Sequence, residues 1–199
     1  MIKAKRIVVL IGGNGSNLQA LIHASQNKPD AFNIIGVISH NPSAYGLERA
    51  KKANLPTYTV DAKLFANHKA GFEQCILDIL AELKPDLICL AGFMRILSKA
   101  FIQAYPHHII NIHPSLLPKY PGLNTHKQVI ANQDTEHGAT VHWVNEQLDA
   151  GPIIAQEKIA VQPDDTEDSI KLKVLALEHQ LYPQVIYQLA TEYTIKVRS

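Results

Sequence analysis

Asn111 and His113 stand two residues apart at the end of the apolar run HIINI, and Pro114 follows at once. Side chains two apart on extended chain point the same way, and a proline ends strand pairing. Amide and imidazole therefore converge on one point just past a strand. In an open α/β sheet that is where ligands bind. An amide N–H stabilises a developing oxyanion and an imidazole moves protons near neutral pH, so the pair suits attack on a carbonyl. It also suits a plain strand end at which Asn caps a turn and His packs. Asp149, in the stretch LDAGP, reads on its own as a turn residue, with His142 on the strand predicted before it. Acyl-enzyme chemistry has no support: there is no Gly-x-Ser-x-Gly elbow, and Ser115 follows His113 too closely for a Ser–His pair. Direct transfer asks only for a base, an oxyanion donor and two well-placed substrates. A zinc reading through His107, His108 and His113 is weak, because adjacent histidines face opposite sides of extended chain and no HExxH or His–Cys grouping occurs. No metal is expected.

A second candidate is LIGGNGSNLQAL, Leu10 to Leu21. A glycine-rich turn between a buried strand and a helix lets backbone N–H groups approach an anion, and the helix N-terminus adds partial positive charge. Gly13, Asn14, Gly15, Ser16 and Asn17 offer more donors than a turn needs, which favours a phosphate; they also describe a tight βα turn capped by Ser16 or Asn17. The pattern matches neither GxGxxG nor GxxxxGK[ST].

The elements that must position these residues are legible as alternation. RIVVLI (6–11), FNIIGVIS (32–39), TYTV (57–60), DLICLAG (86–92) and HIINI (108–112) are short apolar runs separated by helical patterns at 17–27, 45–53 and 70–83. Continuous apolar runs mean strands covered on both faces, hence a mostly parallel open twisted sheet with helices on both faces, an α/β fold of Rossmann-like kind. GATVHWVNE (138–146) and PIIAQEKIA (152–160) alternate more, and predict antiparallel strands in the C-terminal half. Asp165 to Asp168 open a final helix by N-cap chemistry, running from Ser169 to about Ala190 with Pro183 kinking or breaking it. Repeats, low-complexity tracts and linkers are lacking, so residues 1–199 are expected to form a single domain.

Composition narrows the function. The 199 residues are 46% hydrophobic and 19% charged, enough for one substantial core. Net charge is +1 with scattered Lys and Arg, so nothing selects nucleic acid, while a small anionic ligand stays open. No apolar run has the length of a membrane span or a signal segment, and a cytoplasmic location is the default. Cys75 and Cys89 lie in apolar segments without CxxC spacing and read as reduced, buried thiols.

GNGSN (13–17), AGFMRIL (91–97), NIHPSLLPKYPG (111–122), HGATVHWVNEQLDAGP (137–152) and EH (178–179) follow one another along the chain. In that order they resemble the folate-dependent phosphoribosylglycinamide formyltransferase family, essentially end to end. The resemblance implies transfer of a formyl group from 10-formyltetrahydrofolate to the amine of glycinamide ribonucleotide in purine synthesis, with no metal. It implies Asn111, His113 and Asp149 as catalytic amide, imidazole and carboxylate. It implies Gly13, Asn14, Gly15, Ser16 and Asn17 as the phosphate cradle and Glu178 as a substrate-side carboxylate. Met94, Arg95 and Leu97, with Val144, Asn145 and Leu148 of the 144–149 loop, become the folate wall, and Leu116 to about Thr135 a loop that closes over the site. The sequence departs from relatives at Gly12 and Asn124, where some carry Ser and His, at Ala150, where glycine is frequent, and at Leu175, where Lys or Gln lies near the substrate phosphate. That last contact is either missing or supplied by Lys171 or Lys173. Formyltetrahydrofolate hydrolase and methionyl-tRNA formyltransferase share the Asn-x-His and Asp but carry a further domain, for which this chain has no room. A catalytically silent nucleotide- or folate-binding module is the alternative of a different class. The partners expected are the two small substrates alone, with no nucleic acid or membrane, on a monomer or homodimer.

Overall fold

The computed structural model describes residues 4–66 and 68–196, of which 192–196 are described by backbone alone. Strands Lys5–Ile11 (β1), Phe32–Ser39 (β2), Thr57–Thr59 (β3), Leu87–Leu90 (β4), Ile109–His113 (β5), Glu136–Trp143 (β6) and Ile153–Ala160 (β7) form one sheet in the order β3-β2-β1-β4-β5-β6-β7. Helices are Ser16–Asn27 (α1), Tyr45–Lys52 (α2), Lys69–Leu83 (α3), Lys99–Ala104 (α4), Thr125–Ala131 (α5) and Glu167–Lys196 (α6), with a 3-10 turn at Ala62–Phe65. β1 to β5 pair in parallel, and β6 and β7 are antiparallel, as the sequence predicts.

Ile7 to Ile11 of β1 are fully buried because each face of the sheet is roofed. Ile7, Val9 and Ile11 pack with Leu18 and Leu21 of α1 and Val174 and Tyr182 of α6; Val8 and Leu10 pack with Phe72, Ile76 and Leu80 of α3 and Phe101 of α4. Burial on both faces is what turns these strands into unbroken apolar runs. The strand order reverses between β1 and β4, and the crevice beyond their carboxyl ends is the topological switch point. Loops 12–15 and 91–98 leave the sheet there. The Tyr182 hydroxyl, fully buried, donates to the Leu90 and Ile110 carbonyls at 3.0 and 3.3 Å, tying β4 to β5 directly before Asn111.

Several local expectations need correction. α6 runs through Pro183 without interruption. The proline forfeits one helical hydrogen bond, yet Leu181, Tyr182, Val185 and Ile186 pack the helix onto the sheet around it. α1 is capped by Gly15 in a left-handed conformation, rather than by a Ser16 or Asn17 side chain. β6 stops at Trp143 because Asn145 starts a turn, its Oδ1 accepting from Gln147 N–H at 3.0 Å. The segment 116–135, for which the resemblance implies a loop, contains α5. Both cysteines are free; Cys89 is buried and Cys75 only half-buried. Thr166 caps α6 as expected, its Oγ1 accepting from Ser169 N–H at 3.2 Å. Among the described residues no helix is long and apolar enough to cross a membrane.

Candidate active site

β5 presents Asn111 and His113 on one face, and antiparallel β6 sets His142 opposite Asn111 and Thr140 opposite His113. Asp149 arrives from the loop after β6. Its Oδ2 lies 3.4 Å from His113 Nδ1, and its Oδ1 lies 3.6 Å from His142 Nε2 and 3.5 Å from Asn111 Nδ2. The structure thus brings together the polar trio singled out in the sequence and adds His142, which sequence reasoning did not place in the site. Its one signal was a histidine on the strand leading into LDAGP. His142 Nδ1 lies 3.0 Å from the Trp143 carbonyl and must donate to it; in the neutral ring Nε2 then accepts from the Asn111 amide at 3.3 Å, and in the imidazolium form it donates to Asp149 instead. His113 Nε2 lies 2.8 Å from the Tyr120 carbonyl and likewise carries its proton there. In the imidazolium form the same ring donates from Nδ1 to Asp149 as well. Burial by itself would raise the Asp149 carboxyl. Hydrogen bonds from the His142 ring and Gly122 N–H, with the charges of His113 and His142, hold it below its usual value and keep it ionised.

The proline-punctuated chain after His113 folds back to complete the site. Tyr120 takes φ 56° and Gly122 φ 81°; the first aims its carbonyl at His113, and the second donates N–H to Asp149 Oδ2 at 2.8 Å. Asp149 itself takes φ 50°, so Ala150 beside it escapes the left-handed region. Strained backbone at two non-glycine residues costs on the order of 1–3 kcal/mol each, and persists only where surrounding contacts over-determine it. Here they do: Thr140 Oγ1 donates to the Ser115 carbonyl at 2.6 Å and accepts from Leu117 N–H at 3.1 Å. Ser115, fully buried, donates to the Lys119 carbonyl at 2.7 Å and is a structural hydroxyl. His107 and His108 precede β5, at the opposite end from His113.

Across the switch point lies the loop 13–17. Its carbonyls are engaged from behind: Gly13 O by Gly46 N–H at 3.1 Å, Asn14 O by Arg49 Nε at 3.0 Å and Gly15 O by Gln19 N–H at 2.9 Å. The first N–H groups of α1 have no helical acceptor, so the loop and helix start leave a set of donors for an anion. Gly15 has φ 73°, and a Cβ there would lie 2.5 Å from Gly46 Cα. Glu178, buried on α6, accepts from Asn17 Nδ2 at 2.9 Å, and burial pushes its carboxyl up to about 7 against the opposing effect of that bond. Asn17 Oδ1 is buried with no partner among the described residues, an acceptor open to a ligand hydroxyl.

A cleft on the other side of Asn111 and Asp149 is lined by Arg95, Leu97, Val144, Asn145 and Leu148, together with Phe93 and Ile96. Met94 does not line it; its side chain is 69% exposed. Leu97 is both wall and core, 7% exposed and packed in the cluster under β4. Asn145 also braces its own loop, donating from Nδ2 to the Ala150 carbonyl at 3.3 Å. Of the departures noted in the sequence, Gly12 leaves room for the His40 ring, whose Cε1 would be 1.8 Å from a Cβ at that position. Asn124 holds φ 60° before α5 without a side-chain cap.

A doubly wound sheet with an amide, an imidazole and a carboxylate at the carboxyl end of β5 defines a class, and the chain belongs to the formyl transferase family, which it matches over residues 5–186. It is similar to the phosphoribosylglycinamide formyltransferase of Escherichia coli (strain K12), 48% identical over 90% of this chain and 84% of that one. It is 42% identical to the trifunctional purine biosynthetic protein adenosine-3 of Bos taurus over 95% of this chain, which corresponds to 19% of that much longer protein. The solved phosphoribosylglycinamide formyltransferase of Coxiella burnetii superposes with a TM-score of 0.91 at 47% identity, covering 96% of this chain and 89% of the other.

Proposed function

We propose that the chain transfers the formyl group of 10-formyltetrahydrofolate to the amine of glycinamide ribonucleotide in purine biosynthesis. The observation that carries the reading is the position of the Asn111–His113–Asp149 group between two unlike half-sites, a donor-rich loop suited to a phosphate and a mixed apolar cleft suited to a flat heteroaromatic ring. The acceptor's phosphate sits on the N–H groups of Gly13 to Asn17, with Glu178 and Asn17 beside its ribose. The pteridine of the donor lies in the cleft of Arg95, Leu97, Val144 and Leu148.

The acceptor's unprotonated amine bonds to the formyl carbon, and charge gathers on the formyl oxygen. The Asn111 amide donates to that oxygen, and the His113 imidazolium, its two N–H groups held by Tyr120 and Asp149, adds positive charge beside it, an electrostatic stabilisation that is largest where water is excluded. Asp149, 3.4 Å from Nδ1, keeps the His113 ring correctly turned. One proton leaves the attacking amine and one reaches the departing folate nitrogen as the carbon–nitrogen bond breaks, with Asp149, directly or through a water, as the relay. The whole chain acts as one domain, in the cytoplasm, as a monomer or homodimer.

The test is turnover of a 10-formyl folate analogue with and without glycinamide ribonucleotide. Strict dependence on the acceptor is expected. Turnover without it identifies a hydrolase, and binding without turnover a silent module.

A further inference from the structure

The resemblance implies a Lys or Gln near the substrate phosphate where this chain has the apolar Leu175, and the two lysines nearby are engaged elsewhere. Lys173 Nζ lies 2.7 Å from both carboxylate oxygens of Asp165. Lys171 lies on the α5 side of α6, in electrostatic reach of His126 and Glu167. A different cation serves the loop. Arg49, half-buried on α2, donates from Nε to the Asn14 carbonyl at 3.0 Å, from Nη2 to Asn14 Oδ1 at 3.1 Å and from Nη1 to Gln19 Oε1 at 3.3 Å. One face of its guanidinium is covered by the Tyr45 ring, 5.0 Å from Cζ to centroid. Among the described residues no carboxylate lies within salt-bridge distance of it, whereas Lys51 on the same helix pairs with Glu48. The guanidinium is thus an uncompensated positive charge, and every one of its bonds goes to an uncharged oxygen of the loop or of α1.

We propose that Arg49 is a positioning residue for the anionic end of the acceptor: it clamps the 13–17 loop in its anion-binding shape and places a full positive charge directly behind it. The inference rests on the phosphate reading of that loop. Each hydrogen bond from Arg49 pulls electron density from Asn14 and Gln19 carbonyl groups, and the planar fork fixes two atoms of one residue at once, which a lysine cannot do. Gly46 N–H on the Gly13 carbonyl adds a second grip from the same helix. α2 therefore acts as a brace whose charge complements a phosphate on the far side of the loop.

The experiment compares wild type, Arg49→Lys and Arg49→Gln with two acceptors, glycinamide ribonucleotide and its dephosphorylated riboside. Arg49→Gln should raise the KM for the phosphorylated acceptor by ~10-fold or more, the scale of a lost charge-assisted bond. Arg49→Lys, which keeps charge and loses the fork, should fall between. The KM values for the riboside and for formyl folate should hold, and the steep rise of the ribonucleotide KM with salt should flatten in Arg49→Gln. Equal losses with both acceptors, or none with either, overturn the proposal. If wild type itself treats the two acceptors alike, the phosphate reading of the loop fails and the role of Arg49 falls with it. Arg49→Lys keeps the test available should Arg49→Gln unfold.

Discussion

His113 faces two acceptors, a carbonyl that fixes its Nε2 proton and a carboxylate 3.4 Å from Nδ1. Asn111 is held in turn by His142 and Asp149. On the proposed mechanism the group acts as a unit, and its losses should not add. Asn111→Ala should lower kcat ~100- to 1000-fold as oxyanion-donor deletions do. His113→Ala should lower it at least ~100-fold, the scale of general acid–base help. Single-turnover transfer in both variants and in the double variant, with substrates saturating, measures this; a double variant as slow as the product of the single losses would mean that the pair does not share one transition state. Asp149→Asn should fold, since Gly122 N–H keeps an acceptor, yet lose rate because an amide brings no negative charge to the His113 ring and takes no proton. The residue types of this group were legible in the sequence. The Tyr120 carbonyl and Gly122 N–H were not, because they are main-chain groups whose direction is set by left-handed backbone. His142 was missed because its role depends on the β5–β6 register.

On the proposed reading two loops at the switch point carry the two substrates, and each can be perturbed apart from the other. Gly15→Val places a branched side chain at φ 73° and against Gly46 Cα, so it should raise the KM for the ribonucleotide far more than that for folate, with some loss of stability. Equal effects on both KM values would count against a phosphate here. On the folate side Leu97 is a poor probe, because a charge at a core position disrupts the strand it leaves. Leu148, 51% exposed and lining the cleft, is a clean one. Leu148→Asp should weaken formyl folate, keep the ribonucleotide KM and leave the melting temperature within a few degrees; unchanged folate affinity would remove the 144–149 loop from that wall. Strand identity and direction were legible because double burial leaves long apolar runs. α5 and the continuity of α6 were not: the first is a short helix in a proline- and glycine-punctuated segment, and the second depends on packing that outweighs the local cost of Pro183.

At the scale of the molecule, two buried groups pull stability in opposite directions with pH. Glu178 rises from an ordinary 4.5 to about 7 through burial, so in that window the folded state keeps a proton the unfolded chain has released, and stability falls as pH rises. His137 drops from 6.5 to about 4 through burial and the nearby His126, so the unfolded chain takes up a proton first and stability falls as pH is lowered through that range. Glu178→Gln should therefore match wild type near pH 4.5 and exceed it at pH 8. At about 1.4 kcal/mol per pH unit, the displacement from 4.5 to about 7 sets a gain on the order of 3 kcal/mol. Denaturant unfolding at stepped pH reads it directly, and parallel curves for the two proteins would show that Glu178 titrates normally.

The hydrogen bond from Asn17 to Glu178 joins the first helix of the chain to the last. The cleft of Arg95, Leu97, Val144 and Leu148, by contrast, is made wholly from chain that precedes β7. During synthesis the ribosome therefore has all the parts of the proposed folate half-site in hand while the proposed acceptor half still waits for α6. On the proposed reading the two halves of one active site mature at different times, and the face of β1 that α6 covers together with α1 is left to α1 until the final helix arrives.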